Sequence, residues 1–294
     1  MCKYKTSFSN KIAEVITLAK KIKFTQKQIK SLISDYKSGI SLRKLEIKYN
    51  HCRRVLSKIL KENDVLIKNN SINSRKYSHD EDYFEVIDTE EKAYWLGFMY
   101  ADGFIESKRK NQSQKFGITL NKIDYNHLKK FKKCIQATNP IKTYIGGGYT
   151  KNSVFSKILI TSQKTVDDLK DKGVVENKTN ILKFPTEEQV PKELIPHFIR
   201  GYFDGDGCIC YYYQKEKYKT YQINFVGTKD FIDGLKSYLK LDLKCYTKNN
   251  VTYQLNVGGN NKVKKIMNMF YKNAKIFLDR KHEKYLEMLK YSES

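Results

Sequence analysis

The apolar residues near the start of the chain recur at helical spacing. Ile29, Leu32, Ile33 and Tyr36 follow an i, i+3, i+4, i+7 pattern, which places them on one face of a helix. This pattern predicts that residues 1–70 are mainly helical.

Two more helices are predicted after the first. Gly39 ends the first helix, and Ser41 can cap a second, shorter one. A turn at Tyr49 and Asn50 leads to a third helix. Two short helices joined by a tight turn form a helix-turn-helix, whose last helix reads a DNA groove. The third helix would bury Val55, Leu56, Ile59 and Leu60 and would present Arg53, Arg54, Ser57 and Lys58 to DNA.

A basic three-helix bundle that binds nothing is the alternative for this region. The stretch Thr25–Asn69 nevertheless resembles the helix-turn-helix of resolvases and invertases, through Tyr36–Gly39 and Val55–Leu60. Residues 68–80 are polar and have no periodicity, which is typical of a linker.

From Glu90 onward the pattern of elements occurs twice. In each half, a helix ending in Asp-Gly precedes a strand, a helix, two more strands and a final helix. This order predicts an α+β protein built from a duplicated unit, with domains 1–75, 76–185 and 186–294. Corresponding positions keep a nearly constant offset at Asp102 and Asp206, Phe116 and Tyr221, and Asp124 and Asp230.

The charge of the chain indicates a polyanionic partner. Lys and Arg total 56 against 32 Asp and Glu, which gives a net charge of +24, and 40% of the residues are apolar, so global disorder is not expected. The basic residues are interleaved with Tyr, Asn and Gln along the whole chain, which favours nucleic acid over a membrane surface. A solubility surface from an AT-rich genome is the alternative.

The cysteines and the apolar runs exclude several other classes. The 6 cysteines are scattered without a CxxC pair, which argues against a zinc or redox motif and against a disulfide-stapled secreted domain. No apolar run is long enough to span a bilayer, and the N-terminus has no signal-peptide core. We expect an intracellular protein, in the cytoplasm, nucleoid or an organelle, that is not secreted.

Two segments combine small residues with a terminal Asp-Gly. Small residues one helical turn apart form a flat stripe, and glycine inside a helix costs about 1 kcal/mol against alanine. Its presence therefore suggests that two backbones pack closely. The segments are Trp95–Gly103, with Gly97 and Ala101 on the stripe, and Ile199–Gly207, with Gly201 and Gly205.

The acids that end these helices are the candidate catalytic residues. Asp102 and Asp206 lie at helix C-termini, where the helix dipole disfavours a carboxylate, and they would repel each other if the stripes pack together. A divalent cation would relieve both penalties, and Mg²⁺ prefers carboxylate and water ligands. The alternative is that each Asp-Gly merely ends its helix. An EF-hand is excluded because Cys208 stands where the next ligand should be.

With these residues, the chain resembles the single-chain, two-repeat form of the LAGLIDADG homing endonucleases over residues 90–290. The resemblance implies two αββαββα halves related by a pseudo-twofold axis, two sheets forming a saddle on DNA, and a monomer. It places the metal-binding acids on Asp102 and Asp206, with help from the backbone carbonyls of Ala101 and Gly205. It also implies Mg²⁺, for which Mn²⁺ would substitute, and a staggered double-strand break.

The sequence departs from the family motif at two positions. Tyr100 replaces the first acid of the motif in repeat one, whereas Asp204 keeps it in repeat two. Arg200 replaces a small residue and is expected to face outward. The accessory Lys and Gln of the family match only loosely, at Asn121, Lys164 and Lys262.

We therefore predict Mg²⁺-dependent, site-specific cleavage of double-stranded DNA. A DNA-binding regulator without cleavage, or a maturase that binds intron RNA, stays open as an alternative. Because Met1 opens the chain and Ser294 closes it, we expect a free-standing or intron-encoded protein rather than an intein. The DNA-facing strand segments would be 106–122, 141–158, 209–226 and 243–257. The charged and polar contacts in and beside them would be Lys108, Arg109, Lys115, Asn121, Lys122, Lys142, Lys157, Lys215, Lys219, Lys244 and Lys248.

Overall fold

The structure, a computed structural model, describes residues 24–67, 76–147, 151–215, 217–247 and 251–293. The chain divides into two compact units, Met1–Lys76 and Tyr77–Ser294. In these described ranges, no helix is both long enough and apolar enough to cross a membrane.

The described residues of the first unit form three helices, as the apolar spacing predicts. Thr25 begins the first with a capping box that includes Gln28, Ser41 caps the second, and Asn50 ends it in the left-handed conformation. The helices are α1 Gln26–Lys37, α2 Leu42–Tyr49 and α3 Arg53–Glu62.

A small leucine core holds these three helices together. Leu32, Leu45, Leu56 and Leu60 are fully buried. The prediction for Val55 is wrong: its side chain is exposed, because the buried face of α3 runs through Leu56 and Leu60, with Ile59 half-buried beside them. The outer face of α3 carries Arg53, Arg54 and Lys58, which are exposed, and Ser57, which is half-buried.

The predicted linker extends too far toward the C-terminus. Ser78 N donates to Thr138 Oγ1 at 2.8 Å, and Asp80 N donates to the Ile135 carbonyl at 2.9 Å. Residues 77–80 therefore belong to the second unit, and their backbone bonds explain why a polar sequence is ordered there.

The second unit contains two four-stranded antiparallel sheets with the same topology. Their strand orders are β1-β2-β4-β3 and β5-β6-β8-β7. The first sheet comprises β1 Gly103–Ile105, β2 Lys115–Asn121, β3 Lys142–Ile145 and β4 Val154–Thr161, and the second comprises β5 Cys208–Gln214, β6 Tyr218–Gly227, β7 Tyr246–Thr247 and β8 Tyr253–Gly258.

Helices alternate with the strand pairs, so the predicted α+β class and the αββαββα order of both halves are confirmed. Residues 106–114 form a loop rather than a strand, which corrects that part of the first predicted segment. The C-terminal helix, α10, extends the second repeat and has no counterpart in the prediction. The helices are α4 Glu90–Ala101, α5 Tyr125–Cys134, α6 Gln163–Asp171, α7 Ile195–Asp206, α8 Lys229–Leu239, α9 Asn260–Tyr271 and α10 Asp279–Glu293.

Each sheet buries one face and leaves the other open. In β2, Phe116 and Ile118 are buried, and their β4 neighbours Ile158 and Ile160 lie on the same face. In β4 the intervening Lys157 and Leu159 are more exposed, as strand alternation requires, whereas Gly117 of β2, which has no side chain, is buried. The outer faces are therefore available to a ligand.

Candidate active site

The two motif helices, α4 and α7, pack backbone against backbone. A Cβ atom added to Gly97 would lie 1.9 Å from the Phe198 carbonyl oxygen, and one added to Gly201 would lie 1.9 Å from the Tyr94 carbonyl oxygen. Glycine is thus required at both crossing points. The close packing predicted from the small-residue stripes is confirmed.

This packing brings the C-terminal ends of the helices together. Asp102 directly follows α4, and Asp206 is the last residue of α7. A Cβ on Gly205 would lie 2.3 Å from the Ala101 Cβ and 3.3 Å from Oδ2 of Asp102. The absence of a side chain at Gly205 therefore leaves room for the Asp102 carboxylate beside the second helix.

The two carboxylates occupy unfavourable electrostatic surroundings. Burial, with the negative charge of Asp206 as the second cause, raises the pKa of Asp102 to about 6. Partial desolvation also raises the pKa of Asp206, against the opposing charges of Lys178 and Lys281. Both acids favour their neutral form more than a free aspartate does, which a nearby cation would reverse.

Two lysines complete the site. Lys178 Nζ donates to the Ala101 carbonyl at 2.6 Å. Lys281 Nζ, on α10, donates to the carbonyls of Phe203, Gly205 at 3.4 Å and Gly207 at 2.6 Å. Burial lowers the pKa of Lys178, and it lowers the pKa of Lys281 to about 8. The Phe203 carbonyl also accepts from Gly207 N at 2.9 Å. The carbonyls of Ala101 and Gly205 lie in the last turns of their helices, where carbonyls have no intrahelical donor.

The three loosely matched accessory candidates have other surroundings in the structure. Lys164 instead forms ion pairs with Asp82, Glu85 and Asp168. Asn121 Oδ1 accepts from Ile123 N and caps a short turn, and Lys262 is exposed on α9.

One signal in the sequence could have identified the two site lysines. Lys178 follows Ala101 by 77 residues, and Lys281 follows Gly205 by 76. The lysines lie 103 residues apart, close to the 104 that separate the two aspartates, and each lies beyond the last helix of its αββαββα unit. A comparison of the repeats beyond their motifs would have paired these lysines.

The oxygen atoms at the helix ends are ligands of the kind that a hard divalent cation prefers. Two carboxylates and the carbonyl oxygens of Ala101 and Gly205 are oxygen ligands, and each carbonyl keeps a second lone pair after accepting from its lysine. Within the described parts of the chain, no three or more His, Cys, Asp or Glu side chains converge. Mg²⁺ needs no such cage, since it retains several waters and binds one or two carboxylates.

The outer face of the first sheet carries four of the residues predicted to contact DNA. The register pairs Lys142 with Lys157, which lies on the same face as Lys115 and Asn121. Lys157 and Lys115 approach Glu106 at 3.9 and 3.7 Å, and Lys157 Nζ also lies 4.4 Å from the centre of the Phe104 ring. These pairs position the lysines while leaving charge on the open face.

Other predicted contacts lie on loops around the sheets. Lys108 and Arg109 are exposed between β1 and β2, and Lys122 is exposed just after β2. Lys215 lies at the β5–β6 turn and Lys244 before β7, both exposed. Lys248 lies outside the described residues.

The prediction for Lys219 is wrong. Lys219 shares the inward face of β6 with Tyr221, and its Nζ forms an ion pair with Glu287 of α10 at 2.5 Å. The ammonium also lies 3.7 Å from the centre of the Tyr211 ring. Lys219 therefore attaches the sheet to α10 instead of facing outward.

Arg200, expected to face outward, is buried. Its guanidinium forms an ion pair with Glu90 at 2.7 Å and donates to the carbonyls of Phe270 and Ile276 at 2.7 and 3.0 Å. His197 Nδ1 lies 3.0 Å from the same group. The expectation failed because α7 is packed on all sides. Arg200 therefore faces the end of α9 and the segment that follows α9.

The fold is a duplicated α+β unit, and its two motif helices, α4 and α7, bring Asp102 and Asp206 together at their C-terminal ends. No family model matches the chain, and no curated protein is similar to it. Similar solved structures include the LAGLIDADG meganuclease I-AabMI bound to uncleaved DNA, at 16% identity and a TM-score of 0.45, covering 68% of this chain and 88% of the other. The homing endonuclease I-LtrWI bound to target DNA has 11% identity and a TM-score of 0.47, with 72% and 90% covered. I-SmaMI bound to cleaved DNA has 15% identity and a TM-score of 0.44, with 68% and 87% covered.

Proposed function

We propose that this protein is a site-specific endonuclease that cuts both strands of a long duplex DNA target with Mg²⁺. The observation that carries the proposal is the meeting of Asp102 and Asp206 at the ends of two helices in backbone contact. The helix dipole disfavours a carboxylate at the C-terminal end of each helix. Residues that lie where the local structure disfavours them are typical of functional sites.

Asp102 and Asp206, with the carbonyls of Ala101 and Gly205, would hold the metal ion. When bound, Mg²⁺ supplies a Lewis acid that activates water and stabilises charge on the leaving oxygen. Lys178 and Lys281 place positive charge beside the position where the phosphate becomes more negative during hydrolysis. With a pKa of about 8, Lys281 is cationic at neutral pH.

The open sheet faces would bind the duplex. Lysines on the strands and their loops would contact phosphates, which gives affinity without sequence preference. On the second sheet, the outer face carries Tyr212, Gln222, Asn224 and Gln254, whose amide and hydroxyl groups suit base edges. Helix α3 of the first unit, through Arg53, Arg54, Ser57 and Lys58, would add contacts in a neighbouring major groove.

Selection from a pool of randomised duplexes tests this function. The protein is incubated with the pool and Mg²⁺, and the cut ends are ligated to adaptors and sequenced. We expect one long consensus with staggered cuts, and no cut ends when EDTA replaces Mg²⁺. Duplexes that are bound but never cut would support a DNA-binding regulator instead, and restored splicing of a bound intron RNA would support a maturase.

A further inference from the structure

The buried carboxylate of Asp204 has no part in the proposed metal site, although it lies two residues before Asp206. Its side chain is fully buried and accepts three hydrogen bonds. The donors are the hydroxyl of Tyr271, the hydroxyl of Tyr94 at 2.7 Å and the backbone N–H of Leu278 at 2.7 Å. A buried carboxylate is costly unless it is so bonded, which suggests a specific role.

These bonds join three segments that are distant in the sequence. Tyr94 lies on α4 of the first repeat, Tyr271 ends α9, and Leu278 immediately precedes α10. The first turn of α10 begins on Leu278, whose carbonyl accepts from Lys281 N at 3.0 Å. Asp204 therefore fixes the start of the helix that carries Lys281.

Lys281 returns to the same helix from which Asp204 projects. Its Nζ donates to the carbonyls of Phe203, Gly205 and Gly207, which surround Asp204 and Asp206 in the chain. Asp204 and Lys281 thus bind α7 and the start of α10 together from both sides. A shift of Leu278 would move Lys281 away from the end of α7.

The first repeat has a different arrangement at the matching place. Tyr100 stands where the second repeat has Asp204, and its hydroxyl donates to the Lys172 carbonyl at 2.5 Å. In the described part of the site, Lys178 donates to one carbonyl, that of Ala101, from a short 3-10 turn. The two lysines are therefore held by different means.

We propose that Asp204 is a positioning residue that holds Lys281, and not Lys178, at the active site. The strand-specific part of this inference rests on the proposed nuclease function. The two strands of a duplex are related by a twofold axis, so a pseudo-twofold protein places one half-site at each strand. Loosening Lys281 should then slow the cutting of one strand only.

Chemical labelling tests the positioning without DNA. The full-length wild type, Asp204→Asn and Tyr271→Phe are treated with an amine-acylating reagent, and the modification of each lysine is followed by mass spectrometry. Loss of a hydrogen bond to a charged group should speed the acylation of Lys281 about tenfold and leave that of Lys178 unchanged. Equal rates at Lys281 in all three proteins would overturn the positioning role.

Tyr285→Phe is the matched control. The Tyr285 ring stacks on Tyr271, and its hydroxyl donates to Asn268 at 2.9 Å between the same two helices, away from Asp204. If Tyr285→Phe speeds the acylation of Lys281 as much as Tyr271→Phe does, the effect is a general loosening of the contact between α9 and α10. The inference would then fail.

Strand-resolved cleavage then tests the consequence for DNA. On a selected duplex labelled at either end, Tyr271→Phe should cut one strand about tenfold more slowly than the other, so that nicked product accumulates. Equal slowing of both strands, or of neither, would overturn the strand assignment. A wild type that never cuts DNA would overturn the proposed function together with this assignment, whereas the labelling result would still decide the position of Lys281.

Discussion

Asp102 carries its charge at a cost to folding in the absence of a cation. Its pKa rises from 3.8 to about 6 because the side chain is partly buried and Asp206 is close. A carboxyl group with a raised pKa favours the folded state while it is protonated. That contribution is complete below pH 3.8 and is lost as the pH rises through about 6.

Asp102→Asn should therefore stabilise the metal-free protein at high pH. In EDTA we expect the variant and the wild type to have equal free energies of unfolding below pH 3.8. Near pH 8 we expect the variant to be about 1–2 kcal/mol more stable. Added Mg²⁺ should raise the melting temperature of the wild type and not that of the variant. Asp242→Asn, at an exposed position, is the control; identical melts of wild type and Asp102→Asn at pH 8 would contradict this account.

Arg200 is a second residue whose removal has a defined cost. Arg200→Met would remove the ion-pair partner of Glu90, which would keep only its bond from Lys275 N, and two buried carbonyls would lose the donor that Arg200 supplies. We therefore expect a loss of about 3–5 kcal/mol in urea unfolding. Arg280→Met removes a more exposed ion pair with Asp124 and should cost less than about 1 kcal/mol. Equal losses in the two variants would argue against a buried network at Arg200.

At the scale of elements, the contact between α4 and α7 determines where the acids meet. Gly97→Ala and Gly201→Ala place a methyl group onto a backbone carbonyl, and overpacking of this kind costs about 1–3 kcal/mol. The larger substitutions Gly97→Leu and Gly201→Leu should prevent folding or separate the two repeats. Gly258→Ala, where the added methyl meets nothing within 4 Å, is the control. Thermal melts unchanged by the Gly97 and Gly201 substitutions would exclude close packing of the helices.

The sequence pattern predicts most elements, because apolar periodicity and Asp-Gly endings are local properties. It misplaces side chains whose position depends on tertiary packing. Residues 106–114 read as a strand because of their basic character, yet they form a loop. Lys219 could have been assigned correctly, since it has the same strand parity as Tyr221 and Ile223, which are buried. Arg200 could not, because its partners Glu90, Phe270 and Ile276 are distant in the sequence.

At the scale of the molecule, the two repeats have kept the fold and diverged in detail. The sheets have the same strand order, and both motif helices end in an acid. Of the four charged side chains at the site, the motif identifies Asp102 and Asp206. Lys178 and Lys281 lie in segments without a motif, and only tertiary structure brings them to the helix ends.

Deletion of residues 1–76 should leave a folded second unit. The two units are compact separately, and both αββαββα repeats lie beyond residue 76. We expect the truncated protein to cut the selected target but to bind it more weakly and less selectively, as loss of a tethered domain predicts. Arg53→Ala and Arg54→Ala should reproduce part of this loss. A truncated protein that binds as tightly as the full chain would contradict a DNA-binding role for α3, and an insoluble one would indicate a folding role instead.

The central claim is that Asp102 and Asp206 form one metal-dependent nuclease site. The most direct test compares the wild type, Asp102→Asn and Asp206→Asn on a selected duplex, with Mg²⁺ or EDTA, by strand-resolved cleavage and by mobility-shift binding. Each variant should lose double-strand cleavage and keep its affinity, because phosphate contacts elsewhere carry binding. Cleavage of both strands at the wild-type rate by either variant, or by the wild type in EDTA, would contradict the account.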